Sequence, residues 1–123
     1  MSANDVQFFF QMREQIKLYH WQTKSYSRHK ATDGVIDSLD ESIDKYVEVY
    51  MGKYGRPRMT ARNNNIRVTN LSETSIVKFI KTCISYLLND MTKKLKPQDT
   101  DLMNIRDEML AELNQLLYLF TLH

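Results

Sequence analysis

The chain has 123 residues, 42% of them apolar and 26% charged, with three Gly, two Pro, one Cys and a formal net charge of +2. Such a length and balance predict one domain over residues 1–123 with a packed core, and the near-neutral charge gives no bulk drive toward nucleic acid. The lone Cys83 allows neither an internal disulfide nor a zinc-finger framework, so a reducing, cytoplasmic compartment is expected. The longest uncharged stretch, Leu113 to His123, is eleven residues. A membrane helix needs roughly 20, so no membrane partner is expected.

Apolar residues recur at helical spacing in four blocks, with every Pro and Gly but Gly34 lying between blocks or at their ends. Phe9, Met12, Ile16 and Tyr19 predict a first helix over about 3–24, capped by Ser2 or Asn4. Ile36, Leu39, Ile43, Tyr46 and Tyr50 predict a second over about 29–54, ending near Gly52, Gly55 and Pro57. The connection between them, around Ser25 to Arg28, is so short that the two helices must be antiparallel neighbours. Gly55 to Asn70 has no helical period, carries Arg56, Arg58, Arg62 and Arg67 without an acid, and reads as a long connection.

Ile76, Phe79, Ile80, Cys83, Leu87 and Met91 predict a third helix over about 72–96, with Asn70 and Glu73, or Ser72, offering its cap. Lys93, Lys94 and Lys96 fall at its C-terminal end, where the helix dipole favours cations, and Pro97 stops it. Leu102, Ile105, Met109, Leu113, Leu116 and Phe120 predict a fourth over about 99–121, capped by Asp99 or Thr100. Two tight turns and one long crossover between helices 2 and 3 give an all-α, ferritin-like four-helix bundle.

Six of the fifteen acidic residues lie between Asp33 and Glu48. At about 100° per residue from His29, Asp40, Asp33, Asp44, Asp37 and Glu48 all fall within about 100° of it on one face. Like charges four residues apart oppose the helix that carries them, so the stripe calls for compensation. A solvated acidic face is the simplest reading of any charge run. A cation held by carboxylate and imidazole would also compensate, since hard cations prefer oxygen and His suits iron and zinc.

His29 and Asp33 stand four apart, and His20 near the end of helix 1 is level with them across the short turn. Asp44 and Glu48 lie about 22 Å further along helix 2 at 1.5 Å per residue, too far to share an ion with them in one chain. Helix 2 packed antiparallel on its own copy, with a two-fold axis near Ser38 and Leu39, brings the two ends together and makes two equivalent sites per homodimer.

The run Tyr19-His20-Trp21-Gln22-Thr23-Lys24, followed by His29, Asp33, Asp44 and Glu48 at steps of four, eleven and four, resembles the Dps family of mini-ferritins. The resemblance covers helices 1 and 2. It implies that His20, His29 and Asp33 of one subunit and Asp44 and Glu48 of another bind iron, with zinc and manganese also compatible with these ligands. It implies a ferroxidase reaction: Fe(II) is oxidised by peroxide or dioxygen beside Trp21, an aromatic that can be oxidised or relay an electron, and ferric iron is stored in a larger shell. The gap from His20 to His29 is shorter than is usual in the family. The sequence also admits a dimerising scaffold or adaptor without metal chemistry, and nucleic-acid binding through the Arg-rich connection 55–70.

Overall fold

In a computed structural model describing residues 2–123, the chain is all-helical, with no strand among the described residues. The helices are α1 (Ala3–Gln22), α2 (Tyr26–Tyr54), α3 (Ser75–Ser85) and α4 (Thr100–Leu119). They pack as a bundle in which α2 lies against α1 and α4, and α3 lies against α4 and α1. No helix among the described residues is long and apolar enough to cross a membrane.

The apolar seams expected from periodicity form the core. Phe9, Met12, Ile16 and Tyr19 of α1 meet Ile36, Leu39, Ile43 and Tyr46 of α2, with Ile76, Ile80, Cys83 and Leu87 after the crossover and the α4 row from Leu102 to Leu116. Cys83 is one of these small core groups, and burial pushes its thiol up to about 12.

Helix ends follow local chemistry. Asp5 Oδ2 accepts from the Ser2 N–H at 2.9 Å, one half of a capping box. Ser25 Oγ accepts the Arg28 N–H at 3.3 Å and starts α2 at Tyr26, so only residues 23–25 separate α1 from α2. His29 therefore lies inside the first turns of α2, not at its start. At the other end Gly55 adopts φ 91°, a left-handed conformation, while its N–H bonds Met51 O at 2.9 Å.

The third helix departs from the expected 72–96. Its α-helical part stops at Ser85, a π turn follows over Tyr86–Asp90 with Met91 N–H donating to Tyr86 O at 3.0 Å, and a 3-10 turn covers Thr92–Lys94. Tertiary contacts bracket the break: the fully buried Asp5 carboxylate of α1 accepts from the Tyr86 hydroxyl, where the π turn begins, and from Lys94 Nζ at 2.7 Å, where the 3-10 turn ends. Lys94 is thus a partner of Asp5 rather than a free charge on the helix dipole.

Asp99 stands at the start of α4 without capping it through its side chain. It is 1% exposed and accepts instead from Lys96 N–H at 2.9 Å, Tyr54 Oη–H at 2.6 Å and Lys53 Nζ at 2.7 Å, tying the end of α2 to the start of α4.

Candidate functional site

The short α1–α2 turn sets two histidines face to face. The rings of His20 and His29 stack with centroids 4.0 Å apart and planes 15° from parallel. His20, 6% exposed, points its Nδ1 at Thr32 Oγ1, 2.9 Å away. That hydroxyl has carbonyl acceptors at Arg28 O, 2.8 Å, and His29 O, 3.1 Å, so its proton is committed and it accepts from His20. His29 Nδ1 faces the backbone carbonyl of His20 at 2.9 Å, and a carbonyl can only accept. Both rings therefore carry a proton on Nδ1, so that in a neutral ring the lone pair sits on Nε2, the form in which imidazole binds a metal.

His20 Nε2 lies 4.0 Å from Asp33 Oδ1, whose side chain is 62% exposed. Burial holds the His20 pKa below the usual histidine value, and the neighbouring His29 adds to the effect, so the ring is neutral at neutral pH. His20, His29 and Asp33 are brought to one corner of the bundle. Asp44 and Glu48 are not: they lie three to four turns further along α2, exposed, at the rim of a groove of about 450 Å³ floored by Phe9, Ile43, Val47, Met51 and Pro57. Among the described residues no three His, Cys, Asp or Glu side chains converge on a position that could hold a metal ion within one chain. Trp21 projects outward at 67% exposure, with Lys17 Nζ 5.5 Å from its ring centroid.

What fixes this corner was only partly visible in the sequence. Arg28 donates to Tyr19 Oη at 3.1 Å and to Glu73 O at 2.7 Å, and its guanidinium lies 4.5 Å from the Phe120 ring centroid. Glu73 in turn accepts from Tyr19 Oη at 2.7 Å and Thr23 Oγ1 at 2.8 Å. The turn between the histidines is thereby clamped to the segment before α3 and to the end of α4. Thr32 and Arg28 carry no motif, and Glu73, expected to help cap the third helix, instead accepts from Tyr19 and Thr23; the available signal was the spacing of Thr32, three residues after His29 and so level with His20.

Elsewhere, Glu112 is not the solvated acid that its helix face suggests. It turns toward α2, accepts from Ser42 Oγ at 3.1 Å, leaves Oε2 buried without a partner, and burial raises its pKa. Arg56, Arg58, Arg62 and Arg67 are exposed and make no ion pair among the described residues.

No solved structure matches the chain. A stretch of 37 residues is 51% identical to an uncharacterized 14.6 kDa protein in the mobD-ri intergenic region of Enterobacteria phage T4, and covers 30% of this chain and 29% of the phage protein. The profile of DUF5856, a family of unknown function, matches residues 20–120, a span that takes in the histidine pair and all of α2, α3 and α4. The chain belongs to that family.

Proposed function

We propose that two copies of this chain bind Fe(II) as substrate at sites shared across a two-fold axis and oxidise it with peroxide or dioxygen, in the manner of a mini-ferritin. The observation that carries the reading is the stacked His20/His29 pair, whose two Nδ1–H groups are engaged, with His20 Nε2 4.0 Å from Asp33 Oδ1. Two imidazoles and one carboxylate from a single chain are an incomplete ligand set. Asp44 and Glu48, exposed on the same helix, supply the missing carboxylates when α2 meets its copy in antiparallel register.

The donor set suits the reaction. Carboxylates favour the harder Fe(III) product over Fe(II), and the small number of imidazoles leaves positions open for the oxidant. Clamped by Arg28 and Glu73, the turn holds both rings in place before iron arrives. Trp21 stands one residue from His20 with its ring exposed, accessible to a one-electron oxidant. A ferritin-like connectivity, with the crossover between α2 and α3, and storage of ferric iron in a larger shell are part of the same reading.

Anaerobic Fe(II) titration with the mass in solution recorded, followed by peroxide or air, tests it. The expected result is saturable binding near two ions per dimer and prompt growth of ferric absorbance, both abolished in a His20→Ala/Asp44→Ala variant that keeps its helical circular dichroism. A chain that neither binds nor oxidises iron rejects it. The competing reading, a helical scaffold or adaptor, is favoured by the absence of a three-ligand set within one chain among the described residues.

A further inference from the structure

The crossover that leaves α2 runs beside α1 in an extended conformation and is held there by a ladder of glutamines. Gln7 Nε2 donates to Asn65 O at 2.7 Å. Gln11 clasps Arg67 at both backbone groups, donating to its carbonyl and accepting its N–H at 2.8 Å. Gln15, 2% exposed, clasps Thr69 the same way, at 2.7 Å to the carbonyl and 3.0 Å from the N–H. The register works because four helical residues advance about 6 Å and two extended residues about 6.6 Å. Each carboxamide thus stands where a neighbouring β-strand would offer its own N–H and C=O.

An extended segment bonded at every second residue on one side has another side. With residues 65, 67 and 69 turned to α1, the N–H and C=O groups of Ile66 and Val68 point away from it, and none of the four has a hydrogen-bond partner among the described residues. The Ile66 and Val68 side chains share one flank of the strand at 39% and 38% exposure, and Arg67 lies on the other. From Gly55 to Ser72 there is no acid, while Arg62 and Arg67 are both exposed.

We propose that residues 65–69 form an open β-edge that captures an extended acidic peptide, a segment of a partner protein in which apolar and acidic residues alternate. Paired at this edge, such a segment lays its apolar side chains on Ile66 and Val68 and its carboxylates on Arg67, while its backbone meets the four free groups. Charge selects this occupant over a second copy of the same strand, whose Arg67 would fall on the same flank as the first and repel it. It is selected over nucleic acid by the free carbonyls of Ile66 and Val68, which a peptide N–H can meet and which phosphate oxygens, being acceptors only, cannot.

The probe is a fluorescent peptide of about eight residues alternating Val and Glu, long enough to cover the edge at ~3.3 Å per residue, with anisotropy as the readout. Binding is expected to weaken at least about tenfold in Val68→Pro, which removes one outward N–H, and by a similar factor when the peptide's backbone amides are N-methylated. A Val/Lys peptide is expected not to bind. The N-methylated peptide keeps the test valid on the unaltered chain should Val68→Pro disturb the crossover. No binding, equal binding of the N-methylated peptide, tighter binding of a short DNA duplex, or a concentration-dependent dimer that Val68→Pro dissolves would each overturn the proposal.

Discussion

His29 donates its Nδ1–H to the carbonyl of His20, the residue whose ring it stacks on, so one imidazole both caps the end of α1 and orients its neighbour. His20 in turn donates its Nδ1–H to Thr32 Oγ1, which fixes its proton on Nδ1. The arrangement predicts that ¹⁵N correlation spectra of the iron-free protein at neutral pH show both histidines with protonated Nδ1 and bare Nε2. It also predicts that Thr32→Val lowers Fe(II) affinity by about 10–100-fold, the usual effect of removing a group that orients a ligand. Histidines found protonated at Nε2 would remove the lone pairs that the iron reading requires.

A second prediction concerns Asp5, which lies far from the histidines. Its buried carboxylate joins the first turn of α1 to the π turn through Tyr86 and to the 3-10 turn through Lys94. Asp5→Ala leaves the Tyr86 hydroxyl and the Ser2 N–H without that acceptor. The Lys94 side chain, 34% exposed, can turn to water, which limits the loss. The expected cost is about 2–3 kcal/mol in urea unfolding, with loss of amide protection concentrated in residues 86–94. A cost under about 0.5 kcal/mol, the range of ordinary surface substitutions, would show that the carboxylate is not what holds the π turn.

The contrast between these two regions explains what could be read in advance. Phe9, Met12, Ile16 and Tyr19 on α1, and the matching rows on the other helices, follow the 3.6-residue period, and a short turn forces His20 and His29 together; both are local facts. Asp5, by contrast, looks like an ordinary acid at a helix start, and only the position of Tyr86 and Lys94 across the bundle makes it a core residue bonded to the segment where α3 ends. Gln7, Gln11 and Gln15 stand four apart in plain view, yet a polar stripe on a helix normally faces water. Their role depends on a crossover with no periodic signal of its own. Asp44 and Glu48 belong to a different category, because a single chain contains nothing that would complete a site around them.

Acid sensitivity supplies a third prediction. The hydrogen bond from Lys53, with further ones from Tyr54 and the Lys96 N–H, holds the Asp99 carboxyl well below the usual carboxylate range. A carboxylate whose pKa is lower in the folded chain contributes stability that is present above its unfolded pKa of about 3.9. The contribution is lost as pH falls below that value toward the lower folded one, because the unfolded chain takes up the proton first. The gap in Tm between the parent and Asp99→Asn is therefore expected to be widest near neutral pH and to narrow below about pH 4. A gap that stays constant into strong acid would mean that Asp99 acts through shape alone.

Removing one hydroxyl is predicted to have opposite effects at two tyrosines. Tyr46 is fully buried against Phe9, with ring centroids 5.7 Å apart, and its hydroxyl has no hydrogen-bond partner. An unpaired hydroxyl carried into the core loses its water bonds and gains nothing, so Tyr46→Phe removes a penalty while keeping the ring that fills the space. Stabilisation of up to about 1 kcal/mol is expected, reduced by the small void that the oxygen leaves. Tyr86 carries the same group to a different end: its hydroxyl donates to the buried Asp5, and its ring stacks on Phe8 with centroids 4.0 Å apart. Tyr86→Phe preserves the stacking and removes one of the two donors to Asp5 Oδ1, leaving Lys94 Nζ as the other, for an expected loss of about 1 kcal/mol. Chemical denaturation of both variants decides the matter, and a destabilised Tyr46→Phe would mean that the hydroxyl has a partner, such as an enclosed water, that makes its burial favourable.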